Sequence, residues 1–439
     1  GDGAHQGEGG IAEMNPGRMS HSRRAVITGL GCLSPNGLGR EAFARGLREG
    51  RSGVRRISLF DPEGLSCTIA AELPGFDPLN VLPARELRHL SRAVPMAIAA
   101  AREAFQDAGI DPSCLTLEER REIGVLLGTG GGAVDFTERM YQLYFAGQLR
   151  KTTVWAVPTG TMGTLSSELS MVFGLRGPSH VITTGCASST DALGYAFRQL
   201  KHGEADIFLV GGVDAPIARG VMDGFGLMEV LSMAHEADPP RASRPFSADR
   251  DGFVLGEGSW VFVMEELERA RARGAAIYGE VVGYGSTCDA YHRVRLDESG
   301  EEPARAIHLA LAEGGMKPEE IDYIAYHGTS TVLNDRVETR TIHRVFGENH
   351  CNIPGSSIKS MIGHPQGACG AAGVAATLLS MRDGFLPPTM NLEMPDPECD
   401  LDYVPNSSRE AKIGAALCNC IAFGSKNSAL VVRRWQDER

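Results

Sequence analysis

The stretch Ile123-Gly-Val-Leu-Leu-Gly-Thr-Gly130 has an echo late in the chain, Ile321-Asp-Tyr-Ile-Ala-Tyr-His-Gly-Thr329. Both are apolar runs closing on Gly-Thr, the pattern of a buried strand that ends in a turn. The same prelude precedes each: an alanine-rich helical pattern, from residue 95 or 303, then a turn, Ala108-Gly-Ile-Asp-Pro112 or Gly314-Gly-Met-Lys-Pro318. A helix, turn and strand repeated in order indicate a chain built twice on one plan. Helical and strand patterns alternate throughout, which predicts α/β architecture. Superposing Gly128-Thr129 on Gly328-Thr329 sets Leu127 opposite His327. A histidine where the other copy keeps a leucine marks a strand end given over to chemistry, since open α/β sheets bind ligands at the carboxyl ends of strands.

A second echo lies further out. Cys186 follows the strand Val181-Ile182 and is read as opening a helix that ends near Lys201-His-Gly203, before the strand Ile207–Val210. His364 is read as opening another, through Ala371–Met381 to Arg382-Asp-Gly384, with an extended segment Leu386–Met390 after it. Cysteine and histidine then occupy equivalent helix starts, facing one another across a pseudo-twofold cleft. Arg24–Gly29 reads as the opening strand, turning at Gly29–Gly31, and Trp260–Met264 as another buried strand. The expected organisation is a flexible extension or cloning remnant at 1–21, with a natural start expected near Met14 or Met19, then halves at 22–270 and 271–439.

Composition narrows the partners. The net charge of −12 disfavours nucleic acid and anionic membranes. No run of apolar residues is long enough to span a bilayer, and the polar start lacks the core of a secretory signal. Ten cysteines lack paired spacing; Cys418-x-Cys420 has no second pair to complete a metal site. Reduced thiols in a cytoplasmic protein are therefore expected, with no metal.

Cys186 sits at a strand-to-helix elbow in Thr183-Thr-Gly-Cys-Ala-Ser-Ser-Thr190, where the helix start is expected to lower its pKa and make a nucleophile. His327 is carried by a turn, followed by Gly-Thr-Ser-Thr. Lys359 and His364 lie in Ser356-Ser-Ile-Lys-Ser-Met-Ile-Gly-His-Pro365. The chain holds six lysines against 37 arginines, so a lysine in this apolar setting is not a generic surface charge.

These motifs, in this order and with a late Ala422-Phe-Gly-Ser-Lys-Asn427, resemble the elongating β-ketoacyl-acyl carrier protein synthases over essentially residues 24–434. That family includes bacterial fatty acid condensing enzymes and the ketosynthase subunits of type II polyketide synthases. The resemblance implies a thiolase fold, five layers αβαβα from two similar halves. It implies a triad of Cys186, His327 and His364, a lysine at Lys359, and Glu338 as the acid paired with it. Phe423 matches the gating phenylalanine, whose N–H joins that of Cys186 in an oxyanion hole; Gly424 lends that loop flexibility, and Asp289 matches a second gating loop. Thr329 and Thr331 match residues lining the phosphopantetheine tunnel. The implied reaction is decarboxylative condensation of a Cys-bound acyl chain with malonyl-acyl carrier protein. No cofactor is implied; substrates ride on the phosphopantetheine of acyl carrier protein. The implied partners are that carrier and a second subunit, either an identical copy or a homologous chain-length factor.

The late loop departs from the family's usual Gly-Phe-Gly-Gly. Ser425 replaces a glycine and Lys426 adds a charge, which favours a type II polyketide or specialised fatty acid substrate, with housekeeping fatty acid elongation as the alternative. A thiolase would need a second cysteine as base, with Cys369, Cys418 or Cys420 as candidates. A chain-length factor would lack Cys186, and a relic scaffold would not keep the whole constellation.

Overall fold

The computed structural model describes residues 23–347 and 353–436, so the expected extension at 1–21 lies outside it. Ten strands form the path of one large sheet. In chain order they are β1 (Ala25–Ser34), β2 (Ile123–Gly128), β3 (Ser179–Ile182), β4 (Ile207–Asp214), β5 (Gly258–Glu266), β6 (Gly279–Cys288), β7 (Tyr323–Ala325), β8 (Gly355–Ser356), β9 (Ala415–Ala422) and β10 (Lys426–Arg434). Their spatial order is β8-β7-β9-β10-β6-β1-β5-β4-β2-β3. Read from the centre outward, both wings repeat one plan. β1 and β6 meet antiparallel over three residue pairs, each continues into an antiparallel neighbour, and each wing ends in parallel strands. The pseudo-twofold passes between β1 and β6. Strand β9 therefore occupies the place equivalent to β4. The segment Leu386–Met390, expected there, contributes only a two-residue strand, Phe385–Leu386, to a separate small sheet.

Five helices matter for the site: α1 (Ala93–Asp107), α2 (Ser188–His202), α3 (Glu301–Glu313), α4 (Val332–Phe346) and α5 (Cys369–Asp383). Helices α2 and α5 lie between the wings. Their residues Leu193, Phe197, Ala375 and Leu379 share one core with Phe208 of one wing and Leu430 of the other. A second core packs α1 on the outside of the first wing, and a third packs α3 and α4 on the outside of the second. The result is the five-layered αβαβα arrangement. Helix α5 is apolar on nearly every side, as a helix enclosed between two sheets must be.

The glycines read as a turn after the first strand lie inside it. A Cβ on Gly29 or Gly31 would come within 2.2 or 1.9 Å of the Ala104 or Ala100 carbonyl oxygen of α1. Gly283 and Gly285 of β6 meet Ala310 and Ala306 of α3 in the same way, each at 1.9 Å. These glycines let the alanine-rich helices lie directly on strand backbone, and the device appears once in each wing.

Candidate active site

Cys186 stands two residues before α2, after a turn in which Gly185 takes φ +67°. His327 stands two residues beyond β7. His364 does not open α5, which begins five residues later at Cys369. Instead the main chain of His364 is pinned between wings: its N–H donates to Val254 O at 2.7 Å, and its carbonyl accepts from Gly256 N at 3.0 Å. Helices α2 and α5 both end on a left-handed glycine, Gly203 and Gly384, and counted from their first residues the counterpart of Cys186 is Gly367. The expected equivalence of Cys186 and His364 therefore fails by three residues, because the histidine belongs to the turn before the helix.

The three side chains nevertheless converge. Cys186 Sγ lies 3.2 Å from His364 Nε2, and the two imidazoles meet edge to face with centroids 5.4 Å apart. The Phe423 backbone also borders the sulfur, across a shared cavity. Phe253 packs edge-on against His364 at 5.4 Å. A cavity of about 30 Å3 opens here, lined by Cys186, Phe253, Leu296, His327, Thr329, Thr331, His364 and Phe423, among others. It has room for about one water molecule, so an acyl chain enters only if a wall moves. Thr329 and Thr331 hydroxyls bond each other at 2.9 Å on its rim.

Lys359 and Glu338 are both buried but do not pair with each other. Lys359 Nζ donates to the His327 carbonyl oxygen at 2.6 Å and lies 3.5 Å from His327 Nδ1. Glu338 accepts from the N–H groups of His327 and Gly328 and from Asn419 Nδ2, each at 2.7 Å. The expected Lys–Glu pair is thus replaced by two separate supports for the His327 turn. The Lys359 ammonium is directed to the His327 carbonyl, while the carboxylate is held by the two backbone N–H groups of that turn and the Asn419 amide.

The electrostatics correct a second expectation. Burial pushes the Cys186 thiol up to about 12, against the Lys359 charge and the Phe423 N–H. The sulfur therefore rests as a thiol beside a neutral imidazole. Burial and the Lys359 charge hold His327 down to about 3, and burial lowers His364 as well. Burial raises Glu338 to about 7 in spite of its three donors.

The late loop is tied to the segment after β6. Asp289 Oδ1 accepts from Asn427 Nδ2 at 2.6 Å, and Asp289 N–H donates to Ser425 O at 2.8 Å. Ser425 takes φ +63° next to Gly424 at +83°. Its hydroxyl donates to His292 O at 2.9 Å and accepts from His292 N at 3.3 Å.

Sequence reasoning passed over several participants. Leu296 and Phe253 are apolar and carried no chemical signal. Asp214, at the end of β4, accepts from Thr129 Oγ1 and from the N–H groups of Gly130, Gly131 and Gly367, which locks the turn after His364 to the opposite wing. Its place at a strand's carboxyl end was the available clue. Cys369 and Cys420 lie behind His327, outside the cavity lining, whereas Cys418 contacts Thr377 in the core. None of the three faces substrate as a thiolase base must. Two sets of soft donors come together, Cys186–His327–His364 and His327–Cys369–Cys420, each with ligand atoms within 4.8 Å of one another. The Lys359 ammonium beside them opposes a cation.

Comparison with known proteins places nearly the whole chain in one family. Residues 22–270 match the profile of the β-ketoacyl synthase N-terminal domain, and residues 278–393 that of its C-terminal domain. A 3-oxoacyl-[acyl-carrier-protein] synthase 2 of Synechocystis is 40% identical over 94% of this chain and 99% of its own length. The tetracenomycin polyketide synthase ketoacyl synthase alpha subunit of Streptomyces glaucescens is 41% identical over 95% and 98%. Among solved structures, the ishigamide ketosynthase/chain length factor superposes with a TM-score of 0.88 at 36% identity, covering 95% of this chain and 100% of that one.

Proposed function

The chain belongs to the β-ketoacyl synthase family, and we propose that it extends acyl chains carried on acyl carrier protein, with Cys186 as nucleophile and His327 and His364 as the groups that drive decarboxylation. We take 22–270 as the nucleophile-bearing half and 271–439 as the histidine-bearing half. The observation that carries the reading is the contact of Cys186 Sγ with His364 Nε2 at 3.2 Å, in a cavity that His327 also lines.

The chemistry follows from the proton positions. Cys186 is a thiol at rest, so its attack on an acyl thioester needs a base, and His364 Nε2 is in place to take the proton. The proton passes to the departing pantetheine thiol, leaving acyl-Cys186 and a neutral His364. Malonyl thioester then enters. Its carbonyl accepts from the two imidazole N–H groups, which stabilise the enolate as carbon dioxide leaves. The enolate carbon attacks the acyl thioester, and the oxyanion forms between the N–H groups of Cys186 and Phe423. Collapse expels the Cys186 thiolate, and one proton from solvent, passed by way of His364, restores the thiol; it is the proton that the overall reaction consumes.

The free Nδ1 of His364 suits this double duty. It is buried without a hydrogen-bond partner among the described residues. Nε2 can accept from the thiol in one half-reaction and donate to the enolate in the other.

We also propose a two-subunit assembly, with a second copy or a homologous chain lacking the nucleophile. Phe145, Val154 and Val157 are 80%, 86% and 80% exposed, and β3 ends the sheet as an open edge, features that a partner would cover. The departures at Ser425 and Lys426 favour a type II polyketide or specialised fatty acid substrate. The decisive experiment is Cys186→Ala assayed for β-ketoacyl product: condensation is abolished, and full activity in that variant refutes the mechanism.

A further inference from the structure

Two thiols that the proposed reaction does not use meet on the side of His327 turned away from the cavity. Cys420, in β9, has its Sγ 3.5 Å from His327 Nδ1 and 3.1 Å from the carbonyl oxygen of Cys186. Cys369, the first residue of α5, has its Sγ 3.2 Å from that same oxygen, 4.0 Å from Nδ1 and 3.8 Å from Cys420 Sγ. Both are buried, and neither lines the cavity.

Each thiol has one proton to donate. Two acceptors face the pair, the Cys186 carbonyl oxygen and His327 Nδ1. Giving the Cys369 proton to the oxygen at 3.2 Å and the Cys420 proton to Nδ1 at 3.5 Å serves both acceptors, whereas the reverse assignment, with Cys420 on the oxygen at 3.1 Å, leaves Cys369 to reach Nδ1 across 4.0 Å. Cys420 is fully enclosed, and loss of water favours its neutral thiol, which keeps its proton in place. Cys369 is drawn the other way: against burial, the Cys420 contact and the Lys359 charge pull it down. A thiolate 3.2 Å from a carbonyl oxygen would be repelled, so the contact assigns Cys369 its proton too.

We propose that Cys420 is a positioning residue, whose S–H, donated to Nδ1, fixes His327 in the tautomer that presents Nε2–H to the cavity. This rests on the ketosynthase reading above. Lys359, 3.5 Å from Nδ1 but directed to the His327 carbonyl at 2.6 Å, supports the same tautomer without replacing the thiol. The two histidines then differ in kind. His327 is held as a permanent donor, and His364 is free to alternate.

The test compares Cys420→Ala, Cys420→Ser and, as a packing control from the same strand, Cys418→Ala. Decarboxylation of malonyl-acyl carrier protein is resolved into kcat and KM, alongside the rate of Cys186 acylation. Cys420→Ala is expected to lower decarboxylation kcat roughly fivefold, the worth of one net hydrogen bond, with KM and acylation unchanged. Cys420→Ser restores most of the loss, and Cys418→Ala causes none. Equal losses in Ala and Ser variants, a change in KM alone, or the same loss in Cys418→Ala overturns the proposal in favour of packing. Histidine-selective 15N spectra read the tautomer without any turnover. A His327 signal unchanged by Cys420→Ala also overturns it, whereas wild-type protein that never decarboxylates malonyl carrier protein refutes the ketosynthase reading instead.

Discussion

Cys186 Sγ and His364 Nε2 lie 3.2 Å apart in surroundings that keep the sulfur protonated, with burial raising the thiol to about 12. The nucleophile is thus made at the moment of attack rather than stored as a thiolate. This separates the two histidines, because His364 touches the sulfur while His327 holds its Nδ1 against Lys359 and Cys420.

His364→Ala is therefore expected to slow acylation of Cys186 by at least about 100-fold, the lower range for a lost general base. His327→Ala leaves acylation within a few-fold of wild type but removes decarboxylation. In His364→Ala the residual acylation rate climbs with pH, because the reactive thiolate grows as the pH approaches the raised thiol value. Acyl-enzyme mass after a timed pulse, across pH, measures both. Equal acylation by the two variants contradicts the assignment.

Glu338 predicts a separate pH effect. Its value near 7 lies above that of a free glutamate, so the carboxylate is present above that pH and lost as the pH falls through it. Protonation places a hydroxyl among donors from His327, Gly328 and Asn419, where only an acceptor fits. Decarboxylation is expected to decline below about pH 7 in the wild type. Glu338→Gln, whose amide meets the same donors, is expected to be slow at every pH and to lack that step.

Ser425 is expected to govern access to Cys186. Its hydroxyl ties Phe423's loop to the segment carrying Leu296, two walls of a cavity too small for an acyl chain. Ser425→Ala removes the tie but keeps the strained φ, and Ser425→Gly removes both. Both variants are expected to speed alkylation of Cys186 by iodoacetamide several-fold and to relax acyl-chain selectivity, Gly more than Ala. Peptide mass mapping follows the first, and competition among carrier proteins of differing chain length follows the second. Identical rates and product distributions would show the hydroxyl to be without consequence for gating.

Gly31→Ala and Gly285→Ala test the strand–helix contacts. Each Cβ would fall 1.9 Å from a helix carbonyl oxygen, so backbone must shift. Overpacking of this kind typically costs about 1–3 kcal/mol, and backbone contact places these at or above the upper end. Denaturant unfolding measures the loss, and Gly274→Ala, where a Cβ meets nothing within 4 Å but φ is +68°, gives the cost of backbone strain alone.

The duplication, the α/β class and the identities of Cys186, His327, His364 and Lys359 were legible in the sequence, because each rests on local order: strand patterns closing on Gly-Thr, a strand-to-helix elbow, a lysine in an apolar run. The chain could not reveal where hydrogen bonds end or how much water a group loses. Glu338 reads as a partner for Lys359 until the fold fills its oxygens with backbone donors from eleven and ten residues away. The cysteine at a helix start reads as a thiolate until two wings and two central helices close over it, and desolvation raises the thiol. Glycines at 29 and 31 read as a turn because their need for space comes from a helix more than sixty residues away. Short-range pattern determines which groups exist and which elements carry them. Their protonation, their partners and the place of Cys369 and Cys420 behind His327 depend on contacts between segments distant in the chain, which only the packed structure decides.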